Sequence, residues 1–506
     1  MEANEQGFGP GAAAGALKAP PHRSANSNEA IAISLTRTGE NGVKPIAQFH
    51  PKFTYPLFEE EQIFGYQGLK INLRYDAADM RPNVKMTYEK KYEVVGDTEP
   101  ADVASVLTEF LPEVAFQSEK DFIAATKDIS EDFKPPGELL QSLDNEEGPY
   151  EIWKGNLADP AVRKLVKRME VMVLFYIEGG STIVDDSEPE WSLERWTVYF
   201  LYQKKWATPE QDVSRYTFVG YSTVYRFHML EAHTPPATPV EGRKEFELPK
   251  GEFSLATLPC RLRISQFLIL PPFLHKGNGG RLYHTIFADL LAQEHCKEVT
   301  VEDPNEAFDD LRDHSDLKFI RTLPELDAIK INMDWKATDK QDRFDIVDPK
   351  AVEALKKRTK IANRQLRRLI EMHLMSQLPE SVRPFLPTET KVSVPLRTTA
   401  DKKVYRLWKQ YVKARLYRHN LELLAQMDKS ERIEKLDEVQ GSVELEYLRL
   451  LSLSKSRDEA GTTASASSQN GASVKIEGVS KKRPLEAALK DEKESKRARL
   501  EDESSE

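Results

Sequence analysis

The sequence predicts an α+β protein: an N-terminal α+β domain, a central strand–loop–helix–strand unit and a helical C-terminal domain. Three observations carry this. Stretches of alternating or β-branched and aromatic residues recur before residue 270, a glycine-rich loop then separates a strand from an amphipathic helix, and two long stretches of helical periodicity follow residue 349. With 506 residues and 40% hydrophobic content, the chain is too long for one core and apolar enough for two or three.

Taken in order, residues 1–45 carry Gly, Ala, Pro, Ser and Asn without apolar periodicity and are expected to be a disordered tail, with order beginning near Phe49. A first α+β domain is expected over 46–205. In it Leu69, Ile71, Leu73 and Tyr75 keep the period of a strand with one buried face. The stretches WTVYFLYQKK from Trp196 and YTFVGYSTVYRFHML from Tyr216 read as paired antiparallel strands. A second domain is expected over 206–330. There RLRISQFLILPPF is a strand stopped by Pro271 and Pro272, LHKGNGG is a loop, and RLYHTIFADLLAQE is a helix on which Leu282, Ile286 and Leu290 recur every four residues. The strand EVTV then runs into Glu302, Asp303 and Pro304, with a helical segment after it. Residues 331–452 read as helical, and 453–506 as a disordered tail in which Lys481–Pro484 and Lys496–Arg499 form two basic clusters resembling a bipartite nuclear import signal.

Composition excludes several classes. No stretch approaches the ~20 apolar residues of a membrane helix, so no membrane association is expected. Two cysteines, Cys260 and Cys296, cannot build a disulfide framework or a multi-cysteine zinc site. A net charge of −10 argues against wrapping nucleic acid and suits a basic substrate.

Three patterns bear on chemistry. The loop Leu274, His275, Lys276, Gly277, Asn278, Gly279, Gly280 stands where exposed N–H groups and a helix dipole favour a phosphate, although three glycines are equally plain turn chemistry. Its spacing is neither GxxxxGK[ST] nor GxGxxG. Glu302 and Asp303 end a strand, a placement that serves either a general base or a solvated helix-capping turn. Glu59, Glu60 and Glu61 form an acidic run that either faces a basic substrate or is a solvated loop, and the aromatic residues near Trp196 and Tyr225 read as core unless a ligand uses them.

RISQFLILPPFLHKGNGGRLYHTIF resembles the acetyl-coenzyme A signature of GNAT acetyltransferases, in which a strand precedes a Q/R-x-x-G-x-G/A loop. Together with VEDPNEAFDDLRD it is similar in particular to the type B histone acetyltransferases, a likeness running from about residue 48 to about 450. The resemblance implies a GNAT acetyltransferase fold, acetyl-CoA as cosubstrate and no metal. Gly277 and Gly279 match the pattern, while Leu274 stands where it has Gln or Arg, leaving His275 or Lys276 to make that contact. It assigns main-chain contacts with the pantetheine arm to Phe267, Leu268 and Ile269, a coenzyme contact to Asn305, the general base to Glu302 and a neighbouring role to Asp303, with burial expected to tune the base. Glu59, Glu60, Glu61, Trp196, Tyr225, Arg226 and Phe227 match positions that face a histone peptide. The implied substrate is the tail of newly made histone H4, with or without histone H3. The implied partner is a WD-repeat histone chaperone of the retinoblastoma-binding family, and the implied location is cytoplasm and nucleus. A non-catalytic histone-binding subunit and an enzyme for small amines are the competing readings.

Overall fold

The computed structural model describes residues 24–39, 42–92, 99–127, 133–145, 148–185, 187–205, 215–229, 258–337, 342–385 and 396–464. The chain forms two compact units, one from Met1–His228 and Leu262–Asp289, the other from Met229–Arg261 and Leu290–Glu506.

Besides two short two-stranded pairs, Ser24–Asn26 with Gln62–Phe64 and Tyr66–Gln67 with Lys90–Lys91, the first unit contributes to two larger sheets. One contains β1 (Ile31–Gly39), β2 (Gly42–Phe49), β3 (Lys70–Asp76) and β4 (Pro82–Thr87) in the order β2-β1-β3-β4. β1 and β3 run parallel with Ile31 opposite Ile71, Ile33 opposite Leu73 and Leu35 opposite Tyr75, so the period-2 pattern read from the sequence becomes one continuous buried face. The second sheet runs β5 (Glu138–Leu143), β6 (Tyr150–Asn156), β7 (Trp196–Lys205), β8 (Arg215–His228) and β9 (Cys260–Ile269) in that order. Helices α1 (Val103–Phe110), α2 (Glu119–Lys127), α3 (Pro160–Met169) and α4 (Val171–Tyr176) accompany these sheets, and α5 (Asn278–Ala292) follows β9.

The second unit carries β10 (Cys296–Val301) and α6 (Glu306–Ile320), then α7 (Pro349–Thr359), α8 (Asn363–Ser376), α9 (Thr399–His419) and α10 (Lys429–Ala464). This is the α+β architecture with a helical C-terminal region that the sequence predicts. Among the described residues no helix is long and apolar enough to cross a membrane.

Four boundaries differ from the sequence reading. The tail expected over 1–45 is contradicted from Ser24 onward: β1 buries Ile31, Ile33 and Leu35, with the small residues Ala32 and Ser34 between them, a half-buried strand that the Gly- and Ala-rich lead-in concealed. The boundary expected at 205/206 falls inside a hairpin, since β7 and β8 pair from Trp196 opposite Tyr225 to Lys205 opposite Arg215. The boundary expected at 330 is replaced by a division that leaves β10 and α6 with the C-terminal helices. Finally, α10 continues to Ala464, past the end expected at 452. The basic clusters at 481–484 and 496–499 lie outside the described residues.

One turn of the first sheet stores an electrostatic cost. Asp76, at the end of β3, accepts hydrogen bonds from the N–H groups of Ala78 and Asp79 at 2.9 and 3.2 Å. Burial, and then the neighbouring Asp79 carboxylate, push its pKa up to about 6. The folded value lies above the unfolded one, so this group withdraws stability as pH rises from about 4 through about 6. Asp76→Asn keeps an acceptor and removes the charge. Its expected gain is about 1–3 kcal/mol at pH 7.5, fading to nothing below about pH 4, as read from thermal melting across that range.

Candidate active site

The glycine loop is built from the strand upward. Gly220 of β8 sits where a Cβ would come within 2.3 Å of the Leu268 carbonyl oxygen and 3.0 Å of the Ile269 Cα, so only glycine lets the two strands approach this closely. Two residues along, Ser222 Oγ donates to the Gln266 carbonyl at 2.8 Å and Thr223 Oγ1 accepts from the Gln266 N–H at 3.0 Å. The buried Gln266 side chain donates to the Ser181 carbonyl at 2.7 Å and accepts from the Tyr221 hydroxyl at 2.9 Å. β9 is thus fixed on both sides of the main chain just before Phe267. Leu268 and Ile269 are buried, so any ligand contact from these two comes from the backbone, while Phe267 is half-buried.

Pro271–Phe273 then form a 3-10 turn, and the chain passes through left-handed geometry at His275 (φ 60°) and Gly277 (φ 77°) before α5 starts at Asn278. Leu274 (44% exposed), His275, Lys276 and Gly277 are all exposed. Asn278 is buried: its Nδ2 donates to the Phe273 carbonyl at 3.0 Å and its Oδ1 accepts from Arg281 at 2.8 Å, so its side chain braces the loop and leaves only its main chain for a ligand. Arg281 also donates to the Lys276 carbonyl at 2.7 Å and stacks 4.6 Å over the Tyr150 ring. Sequence reasoning missed this residue; its only signal was a cation one turn into the helix. A Cβ at Gly280 would meet nothing within 4 Å. The outcome is an open, braced turn at the start of a 15-residue helix whose first N–H groups have no intrahelical acceptor. Such a turn suits a phosphate group.

Glu302, Asp303 and Asn305 belong to the second unit rather than to the unit that carries this loop. β10 ends at Val301, and Glu302 and Asp303 occupy the turn that follows. Both are exposed, which corrects the expectation of a buried base, and Asp303 takes a positive φ of 29° that turns the chain sharply ahead of Pro304. Asn305 is the N-cap of α6, its Oδ1 accepting from the Phe308 N–H at 2.9 Å, so that oxygen is committed to the helix. Asp310 accepts from both Nη1 and Nη2 of Arg449, each at 2.7 Å.

The residues expected to face a peptide divide. Glu59, Glu60 and Glu61 form a 3-10 turn in which Glu60 and Glu61 are left-handed. Glu61 accepts from the Thr54 N–H at 3.0 Å and is committed to the fold, while Glu59 and Glu60 are exposed. Trp196 and Tyr225 are cross-strand partners with ring centroids 4.7 Å apart, and Tyr225 meets Phe227 edge-on at 4.6 Å. Arg195 donates to the Tyr225 hydroxyl at 2.8 Å and Arg263 lies 4.3 Å over Phe227, giving a cation-flanked aromatic strip. Strand alternation puts Arg226 on the opposite face of β8, so it does not share that strip. Tyr225 is five residues from Gly220, roughly 16 Å along the strand, which sets the strip at the far end of β8 from the point where β9 enters the glycine loop.

Two families match the chain: "Histone acetyl transferase HAT1 N-terminus" over residues 23–178 and "Fungal HAT1, C-terminal" over residues 327–379. Three relatives named "Histone acetyltransferase type B catalytic subunit" are similar over most of its length. The protein of Pyricularia oryzae is 48% identical over 86% of this chain and 92% of its own, that of Gibberella zeae 45% over 90% and 97%, and that of Neurospora crassa 45% over 84% and 87%.

Proposed function

The chain belongs to the family of histone acetyltransferase type B catalytic subunits, and on that premise we propose that it transfers acetyl from acetyl-CoA to lysines in the N-terminal tail of newly synthesised histone H4. The observation that carries the reading is the braced turn between β9 and α5, left-handed at His275 and Gly277 and open at its tip. In this reading the N–H groups opening α5 take the pyrophosphate, with Lys276 adding charge, and the main chain of Phe267, Leu268 and Ile269 takes the pantetheine arm and polarises the thioester carbonyl. Acetyl-CoA supplies an acetyl group activated as a thioester. Glu302 removes a proton from the lysine ammonium, directly or through water, and Asp303 supports it; the amine so formed is the nucleophile. Glu59 and Glu60 meet the basic tail, and the strip of Trp196, Tyr225 and Phe227 receives its aliphatic stems.

The same premise supports histone H4 as partner, alone or with histone H3, a WD-repeat histone chaperone of the retinoblastoma-binding family as companion subunit, and residence in cytoplasm and nucleus. One observation favours the competing non-catalytic subunit: Leu274, at a coenzyme-contacting position, exposes an apolar side chain. Purified protein incubated with acetyl-CoA and an H4 tail peptide is expected to release free CoA and add acetyl to lysine, followed by peptide mass. Binding of the peptide without turnover, alone and with the chaperone present, would establish the competing reading.

A further inference from the structure

The four residues that join β10 to α6, Glu302 to Asn305, are held on both flanks by the same part of the C-terminal helices. On the strand side, the Val299 N–H donates to the Lys360 carbonyl at 2.7 Å, and Val299 forms a parallel bridge with Ile361. Lys360 takes a left-handed conformation at the end of α7, and its ammonium donates to the carbonyls of Leu291 and Gln293, each at 2.8 Å. On the helix side, α8 begins two residues after Ile361 and sends Gln365 to Asp313 and Asp316 of α6 at 2.9 and 3.1 Å, and Arg368 to Asp313. Asp313, Asp316, Gln365 and Arg368 are all buried. Nearer the turn, Arg449 of α10 makes a two-pronged bond to Asp310, five residues after Asn305.

We infer that this clamp sets the position of the Glu302–Asn305 turn, with Ile361 holding the strand before it and Arg368 and Arg449 holding the helix after it, so that Arg449 is a positioning residue for the transfer reaction. The inference rests on Glu302 being the base. A base must lie within hydrogen-bond reach of the amine, and displacement by about 1 Å can cost 10²-fold in rate. Glu302, Asp303 and Asn305 are exposed, and groups at a surface are fixed less tightly than groups packed in a core. The clamp supplies that precision from β10 and α6, through contacts that are buried at Val299, Asp313 and Asp316 and half-buried at Asp310.

Arg449 is half-buried and can be changed without leaving a charge in the core, unlike Arg368. Arg449→Met is expected to lower kcat about tenfold at unchanged KM for acetyl-CoA and peptide, to leave the melting temperature nearly unchanged, and to speed hydrogen exchange at the bonded amides of residues 308–310. The double variant Asp310→Arg with Arg449→Asp restores the bridge with reversed polarity and is expected to recover both kcat and protection. Unchanged exchange, unchanged kcat, or failure of the reversed pair to recover either would overturn the inference. If the parent protein transfers no acetyl group, the reading of Glu302 fails, and the exchange measurement alone decides whether Arg449 holds the turn.

Discussion

The Glu302→Gln variant is expected to turn over 10²- to 10⁴-fold more slowly than the parent at pH 7.4 while binding acetyl-CoA equally well. The substrate lysine has a reference pKa near ~10.4, so only about one molecule in a thousand carries a nucleophilic amine at that pH. A positioned base removes this handicap within the bound complex, and general-base catalysis typically contributes 10²–10⁴. Glutamine has nearly the same shape but accepts no proton. The residual rate of the variant should therefore follow the fraction of free amine in solution, rising close to tenfold per pH unit up to the lysine pKa, whereas the parent profile is much flatter above neutrality. Rate–pH profiles of the two proteins from pH 6.5 to 9.5, with coenzyme binding measured in parallel, make the comparison. A variant with the parental rate and profile would move the role to Asp303, whose positive φ already holds it at the tip of the same turn. Because Glu302 and Asp303 are exposed, their carboxylates remain within reach of solvent, and a water-mediated proton path is compatible with the turn.

The strand and hairpin content was legible because sheet faces leave a period of two, and Leu69, Ile71, Leu73 and Tyr75 keep it. The glycine loop was legible for the same local reason, since prolines end the strand and glycines allow the left-handed passage. What the sequence did not disclose is long-range. Glu61 and Asn278 look like ligand residues by position, yet each is spent on a backbone group, Thr54 N–H in one case and Phe273 carbonyl in the other. Arg281 looks like a solvated helix cation and is the brace of the loop. The expected break at 205/206 followed the charged, proline-containing composition of 206–214, but a composition shift between two strands is equally a hairpin connection, and pairing partners decide between them. Helical periodicity likewise identifies α8 and α9 without revealing which buried charges meet among the C-terminal helices.

Those charges yield the other large effect, a loss of about 3–5 kcal/mol in the C-terminal helices on Glu371→Ala. Glu371 of α8 is fully buried, as is Arg415 of α9 to within 4%. Arg415 Nε donates to both carboxylate oxygens at 2.9 and 3.0 Å, the Tyr447 hydroxyl of α10 donates to one of them at 2.7 Å, and Trp408 Nε1 donates to the Glu371 carbonyl at 2.9 Å. Three helices therefore meet on one carboxylate. Alanine removes it and strands a guanidinium where water cannot reach, and breaking a buried pair from one side typically costs 3–5 kcal/mol. Replacing both members together, Glu371→Met with Arg415→Met, removes the stranded charge and its desolvation and should recover most of the loss, because a buried pair contributes little beyond an apolar pair of similar volume. Native-state hydrogen exchange at the amides of α8 and α9 reads the difference, with the single variant expected to exchange roughly 10²- to 10⁴-fold faster and the double variant close to the parent. A single variant that exchanges at the parental rate would mean that Tyr447 or solvent compensates Arg415 alone. A double variant as weak as the single one would mean that the pair's geometry, rather than its charge balance, holds the three helices together.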